Sequence, residues 1–223
     1  MPSRNEQKKH RIVIVDDHHI VRYGLIQLLN STDDLELCGE AEDMATALEI
    51  IEKSKPDLVV VDISLKGSDG LELIKQINAK FPAILTLVLS MHEESVYAER
   101  ALRAGAMGYI MKQEMNEILL DAIYHLLEGN IFLSGEMTDR ILHKITLSQS
   151  GEAHPSIDDL TDRQFQIFKL IGQGFKIGEI AEKLYISVST AEYHRANIRK
   201  KMDIPNSAEL TRVAVKWMRD TFK

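Results

Sequence analysis

The sequence predicts two units: an α/β domain built as a doubly wound, five-stranded parallel sheet, and after it a small all-α domain. Three observations predict this. Five short apolar runs alternate with five helix-patterned stretches over the first 128 residues, the rhythm of strands covered by helices on both faces. Two of the runs close on carboxylates: Ile12-Val13-Ile14-Val15 leads into Asp16-Asp17, and Leu58-Val59-Val60-Val61 leads into Asp62. Charge then reverses, from −11 over residues 10–128 (ten Lys and Arg against 21 Asp and Glu) to +3 over residues 158–223 (12 against nine).

Strands are expected at 12–16, 35–39, 58–62, 84–89 and 107–111, where Val- and Ile-rich runs bounded by polar residues read as buried on both faces. Helices are expected at 19–30, 44–54, 70–79, 94–104 and 115–128. In 115–128, Ile118, Leu119, Ala122, Ile123, Leu126 and Leu127 recur on one face, and Gly129 stands where a C-cap would. Five such units complete a flavodoxin-like sheet, in which ligands collect beyond the carboxyl ends of the strands. Asp16, Asp17 and Asp62 all belong to that edge.

A chain of 223 residues exceeds a single typical domain. Residues 135–147 are helix-patterned, and the stretch 148–156, SQSGEAHPS, reads as a flexible linker. The second unit reads as short helices. Thr161 precedes one containing Phe165, Ile167, Phe168, Leu170 and Ile171, which Gly172 and Gly174 stop. Ile177 to Leu184 form the next, with Ile180, Ala181 and Leu184 on one face. A turn through Tyr185 and Ile186 leads to a third capped by Ser187 or Ser189, and Ser207 opens a fourth. The expected domains are 10–128, a linker with a helix at 129–157, and 158–223.

Cys38 is the only cysteine, which excludes an intrachain disulfide or a cysteine-based zinc site; between Leu37 and Gly39 it reads as a buried structural thiol. The polar start MPSRNEQKKH precedes no hydrophobic segment other than the first strand. Neither a signal peptide nor a membrane span is expected, and the expected location is cytoplasmic.

Clustered carboxylates repel one another, and a divalent cation with oxygen ligands resolves the repulsion; Mg2+ takes one or two protein carboxylates and keeps water or phosphate oxygens. The pocket therefore suits phosphoryl transfer, with Asp62 as a carboxylate nucleophile. Lys112 ends the run Gly108-Tyr109-Ile110-Met111, and Ser90 ends Ile84-Leu85-Thr86-Leu87-Val88-Leu89, so a cation and a hydroxyl emerge at the same edge. Taken singly, Lys112 reads as a solvated loop residue and Ser90 as a helix cap ahead of Glu93-Glu94. Coincidence of five such residues at strand ends favours the functional reading.

Asp16-Asp17, Asp62, Ser90, Tyr109 and Lys112, in that order, resemble the receiver domain of two-component response regulators. The resemblance implies that Asp62 is the phosphoacceptor, that Asp16, Asp17, Asp62 and the backbone carbonyl of Ser64 bind Mg2+, and that Lys112 contacts the phosphoryl group. It makes Ser90 and Tyr109 the switch pair: a hydroxyl drawn to phosphoryl oxygens vacates space for an aromatic ring. The loop Asp62 to Gly70 departs from the pattern, with Lys66 where such receivers carry Pro, so one fixed φ is lost. Gly67 and Gly70 mark a turn, and Asp69 is placed to cap the following helix.

On the third helix of the second unit, helical periodicity turns Ala191, Ile198 and Met202 inward and projects Glu192, Tyr193, Ala196, Arg199 and Lys200 outward. Arg195, Arg199, Lys200 and Lys201 supply phosphate-binding charge, with Lys176, Ser187 and Thr190 nearby. Leu160-Thr161, Arg163, Ile180-Ala181, Leu184, Ile186-Ser187, Thr190, His194-Arg195-Ala196-Asn197-Ile198 and Lys201-Met202 resemble the LuxR-type helix-turn-helix of NarL/FixJ response regulators. The resemblance implies base reading by Glu192, Tyr193 and Ala196, with Thr190, Arg195 and Arg199 nearer the backbone. Ala191, Glu192 and Gln164 depart from the common Val, Lys and Glu; Glu192 suits cytosine rather than phosphate.

The resulting expectation is a cytoplasmic DNA-binding transcription regulator, not an enzyme. A sensor histidine kinase phosphorylates Asp62, and homodimers form on double-stranded promoter DNA, where paired half-sites raise affinity through effective concentration. Two alternatives stand beside this expectation. One is a regulator independent of phosphorylation with a vestigial receiver. The other is a Mg2+-dependent aspartyl-phosphate phosphatase, which wants a second acid where Ser64 stands.

Overall fold

The computed structural model describes residues 9–65, 69–148 and 157–221. Lys66 and Gly67 of the acidic loop, and all but Ser148 of the expected linker 148–156, lie outside the described residues. The chain divides into two compact units, Met1–Thr146 and Leu147–Lys223.

The first unit is a parallel sheet of order β2-β1-β3-β4-β5, from β1 (His10–Val15), β2 (Leu35–Ala41), β3 (Leu58–Val61), β4 (Leu85–Ser90) and β5 (Gly108–Met111). Helices α1 (His19–Asn30), α2 (Met44–Ser54), α3 (Gly70–Lys80), α4 (Glu94–Ala104) and α5 (Met115–Leu127) cross over between and after them. The order reverses at the β1/β3 boundary, where such sheets open their crevice. Ile12, Ile14, Leu58, Val60, Leu87, Leu89 and Ile110 fill the layer between the sheet and α1 and α5, against Leu25, Leu29, Leu119, Ile123 and Leu126.

Strand ends differ from expectation by a residue or two. β1 and β3 stop before Asp16 and Asp62, although the Asp16 N–H still donates to Ala41 O (3.1 Å) and the Asp62 N–H to Val15 O (2.8 Å). The main chains thus stay anchored to neighbouring strands while the carboxylates leave the ladder. Asp43 caps α2 by accepting from Thr46 N at 3.0 Å, and Asp69 caps α3 by accepting from Leu71 N at 3.0 Å. Gly129, at φ 87°, follows the end of α5 in the left-handed region that glycine tolerates. Gly70 meets a tighter demand: a Cβ there would lie 2.1 Å from the carbonyl oxygen of Asp62. The first turn of α3 therefore packs directly on the Asp62 backbone. Cys38 is half-buried, its Sγ donating to Ile12 O at 3.4 Å.

After α5 the chain returns to the sheet. Phe132 forms a parallel bridge to Gly108, its N–H donating to Met107 O (2.9 Å) and its carbonyl accepting from Tyr109 N (3.0 Å). Helix α6 (Gly135–Ser148) then lies against α4: Ser134 N donates to Glu94 (2.9 Å), Arg140 to the Ser95 carbonyl (2.9 Å), and Lys144 Nζ to Glu99 (2.8 Å).

The second unit comprises α7 (Asp162–Gly172), α8 (Ile177–Lys183), α9 (Val188–Lys201) and α10 (Ser207–Thr221), preceded by a 3-10 turn at Ile157–Asp159. Thr161 and Gln164 form a reciprocal capping box, so the amide fills the capping role. Ser187, rather than Ser189, caps α9, accepting from Thr190 N at 3.0 Å. Tyr185 takes φ 53° in the turn between α8 and α9. Asn206 accepts from Glu209 N at 2.9 Å and so caps α10. Phe165 and Phe168 meet Trp217 edge-on at 5.5 and 5.6 Å. No described helix is long and apolar enough to cross a membrane.

Candidate functional site

β1 and β3 deliver Asp16 and Asp62 to the same edge, each only 2% exposed, and β5 delivers Lys112 beside them. The Lys112 ammonium lies 2.6 Å from Asp16 Oδ2 and 2.7 Å from Asp62 Oδ2. Two buried carboxylates share one buried cation, the condition under which burial of charge is tolerated. The other oxygen of Asp62, Oδ1, accepts from Ser64 N at 3.1 Å. Arg22, from α1, donates to the Asp16 carbonyl at 2.7 Å and pairs with Glu40 (3.0 Å) and Glu42 (2.6 Å), bracing the end of β1.

Asp16, Asp17, His18 and Asp62 each offer a ligand atom, all within 4.8 Å of one another. Asp17 Oδ1 is buried yet has no hydrogen-bond partner, while Asp16 Oδ2 is held by the Lys112 ammonium. An orphaned oxygen in a carboxylate cluster fits a hard divalent cation.

Ser90 is the last residue of β4 and fully buried; its Oγ accepts from His92 N at 3.2 Å, and α4 begins after Glu93 without a side-chain cap. The Lys112 N–H donates to Ser90 O at 2.8 Å, tying the two candidate phosphoryl contacts through the β4/β5 ladder. Tyr109 is buried in β5 and donates its hydroxyl to the His92 carbonyl at 2.8 Å; burial holds its ionisation well above the usual phenol range. The His92 ring stacks on Tyr97 at 4.7 Å and contacts Ser64 Oγ at 2.9 Å. One residue thus touches Ser90, Tyr109 and the Asp62 loop.

Sequence reasoning missed His18, Arg22 and His92. The available signals were adjacency to Asp16-Asp17 for His18 and a position two residues past Ser90 for His92. For Arg22, whose carboxylate partners lie 18 and 20 residues away, there was none.

On α9, Ala191 and Ile198 are fully buried, with Met202 half-buried beyond the helix end. Tyr193, Ala196 and Lys200 are exposed, and Glu192, Arg195 and Arg199 half-buried. Glu192 and Arg195 form an ion pair at 2.6 Å, so the expected base reader and backbone contact hold one another. Ser187 and Thr190 hydroxyls lie 2.8 Å apart within the cap, Lys176 is exposed ahead of α8, and Lys201 Nζ donates to Asp159 O at 2.8 Å. Arg163 donates to the Leu184 carbonyl at 2.6 Å, clasping the turn between α8 and α9. Burial, then the charge of Arg163, lowers the His194 pKa.

An acidic pocket with a buried lysine at the crevice of a 2-1-3-4-5 sheet, joined to a helical unit presenting a basic helix behind a tight turn, defines a signal receiver coupled to a DNA-binding module. The family described as response regulator receiver domain matches residues 12–124, and that of bacterial regulatory proteins, luxR family, matches residues 158–214. The chain is 33% identical over 210 residues to oxygen regulatory protein NreC of Staphylococcus carnosus, covering 92% of this chain and 97% of the relative. RcsB of Salmonella enterica serovar Typhimurium, solved on promoter rprA with the phosphomimetic BeF3-, is 25% identical with TM-score 0.64, covering 93% and 99%. A two-component response regulator of the LuxR family from Aurantimonas is 32% identical with TM-score 0.57, covering 62% and 99%. The chain belongs to the response regulators that join a receiver domain to a LuxR-type DNA-binding domain.

Proposed function

We propose that residues 10–128 receive a phosphoryl group on Asp62 from a sensor histidine kinase and that residues 158–223 bind promoter DNA in response, with 129–157 connecting them. The observation that carries this reading is the Lys112 ammonium, 2.7 Å from Asp62 Oδ2 in the pocket that also holds Asp16, Asp17 and His18. A carboxylate oxygen of Asp62 attacks phosphorus; the P–N bond of the phosphohistidine breaks, and its electron pair stays on the departing imidazole nitrogen. Lys112 neutralises charge on the transferred oxygens, and the Ser64 N–H keeps the carboxylate oriented. Asp16, Asp17, Asp62 and the Ser64 carbonyl would hold Mg2+, which when bound offsets phosphoryl charge. The aspartyl phosphate is a stored signal, so the chain acts as a regulator rather than an enzyme, in the cytoplasm with its kinase and DNA.

Ser90, drawn to the new phosphoryl oxygens, gives up its bond from His92 N; His92 then releases the Tyr109 hydroxyl. α6 responds because it is tied to α4 by three side-chain contacts and, through Phe132, to the backbone of Tyr109 itself. Two phosphorylated copies pair on adjacent half-sites, where Thr190, Arg195, Arg199, Lys200, Lys176 and Ser187 meet the sugar-phosphate backbone and Tyr193, Glu192 and Ala196 face base edges. Support for the output comes from RcsB, solved on promoter DNA with a phosphomimetic. Asp62→Asn tests the reading: incorporation of label from acetyl phosphate with Mg2+ should vanish while far-UV circular dichroism stays unchanged, and retained labelling would remove Asp62 from the role.

A further inference from the structure

We propose that His18 is a nitrogen ligand for the cation of the acidic pocket, and that it biases the site toward borderline transition cations such as Mn2+ over Mg2+. This rests on the reading that Asp16, Asp17 and Asp62 hold a divalent cation.

His18 occupies the N-cap of α1, a position that favours Ser, Thr, Asp or Asn because their short side chains accept from the first-turn amides. The imidazole makes no such bond. Its ring instead turns to the carboxylates: Nδ1 lies 2.8 Å from Asp17 Oδ1, 3.2 Å from Asp16 Oδ1 and 4.0 Å from Asp62 Oδ2. The main chain enforces that direction, since the His18 N–H donates to Asp16 Oδ1 at 2.8 Å and closes a turn of two residues.

The oxygen supply explains what the nitrogen adds. Lys112 takes Oδ2 of both Asp16 and Asp62, while Asp62 Oδ1 is engaged by the Ser64 N–H and Asp16 Oδ1 by the His18 N–H. Asp17 Oδ1 is buried without a hydrogen bond, and it is the oxygen nearest to Nδ1. A cation entering beside Asp17 therefore meets few uncommitted oxygens and one imidazole nitrogen at the same place. Carboxylate and water oxygens suit Mg2+ and Mn2+ alike, but an imidazole favours the transition cation, in line with the Irving–Williams order. At 57% exposure the His18 side chain has room to adjust around an ion. His92, the other imidazole near Asp62, is committed to Ser64 and Tyr97 and lies outside the four-residue ligand cluster.

The test uses the full-length protein, its His18→Gln variant, and Mn2+ as probe. Electron spin-echo modulation of bound Mn2+ should show directly coordinated imidazole nitrogen in the wild type and lose it in His18→Gln. In competition titrations, the preference for Mn2+ over Mg2+ should fall by roughly tenfold or more in the variant. Bound Mn2+ without a His18-dependent nitrogen signal, or with unchanged preference, overturns the proposal and leaves the cation site standing. Failure of Mn2+ to bind the wild-type chain overturns both.

Discussion

Lys112→Met should cost the receiver unit a large part of its stability. The lysine side chain is 4% exposed and the two carboxylates it serves are each 2% exposed. Methionine keeps most of the apolar stem and removes the charge, leaving Asp16 and Asp62 facing one another without their shared cation. Breaking a buried pair by deleting one partner costs about 3–5 kcal/mol, because the uncompensated charge stays behind. With a urea dependence of about 2 kcal/mol per molar for a domain of this size, the midpoint should drop by roughly 2 M. Far-UV circular dichroism is the assay to use, since the only tryptophan, Trp217, lies in the other unit and its fluorescence reports that unit alone. Added Mg2+ should recover more stability in the variant than in the wild type, because a bound cation takes over the neutralisation that Lys112 supplied. A midpoint shift below about 0.5 M, with no greater rescue by Mg2+, would refute the claim that Lys112 balances the pocket.

The DNA-binding unit should weaken in mild acid. His194 has a folded pKa lowered from 6.5, by burial first and then by Arg163. The unfolded chain therefore binds the extra proton first, and the stability contributed by neutral His194 is present above pH 6.5 and lost as pH falls through the folded value. Trp217 fluorescence melts across that range should show the loss in the wild type and a flatter profile in His194→Gln. Arg199→Ala should weaken binding to specific and random DNA alike and lower the salt slope by about one, whereas a change confined to sequence preference would count against a phosphate contact. Lys144→Glu turns the α6–α4 ion pair with Glu99 into a repulsion. It should shrink the gain in promoter affinity on acetyl phosphate treatment, measured by fluorescence anisotropy, and an unchanged gain would show that α6 only tethers.

Much of the fold was legible because the elements are periodic. The predicted α1, α2 and α4 ranges coincide with those observed, and all five strands lie within two residues of their expected ends. The errors fall at termini such as Val15 and Val61, where a residue leaves the ladder while its N–H is still held by the neighbouring strand. Such an anchor depends on a neighbouring strand far off in sequence, Ala41 for Asp16 and Val15 for Asp62, so local pattern does not encode it. The α9 cap was ambiguous for a related reason. Ser187 and Ser189 have equal propensity, and only the backbone entering the helix, extended at Ser187 with φ −69° and ψ 152°, selects one of them.

The candidate sites divide in the same way. Alternation of apolar runs with amphipathic stretches, written by neighbouring residues, determined that Asp16, Asp17, Asp62, Ser90 and Lys112 stand at the ends of strands, and that α9 turns a basic face outward. Which atoms meet was decided only by tertiary structure: Lys112 between Asp16 and Asp62, His92 between Ser90 and Tyr109, Phe132 on the edge of β5, and Arg195 on Glu192. The physical reason is distance along the chain for the first three and rotamer choice for the last. Asp62 and Lys112 are 50 residues apart, and their contact exists because helical crossovers bring β1, β3, β4 and β5 parallel into one sheet with their carboxyl ends together.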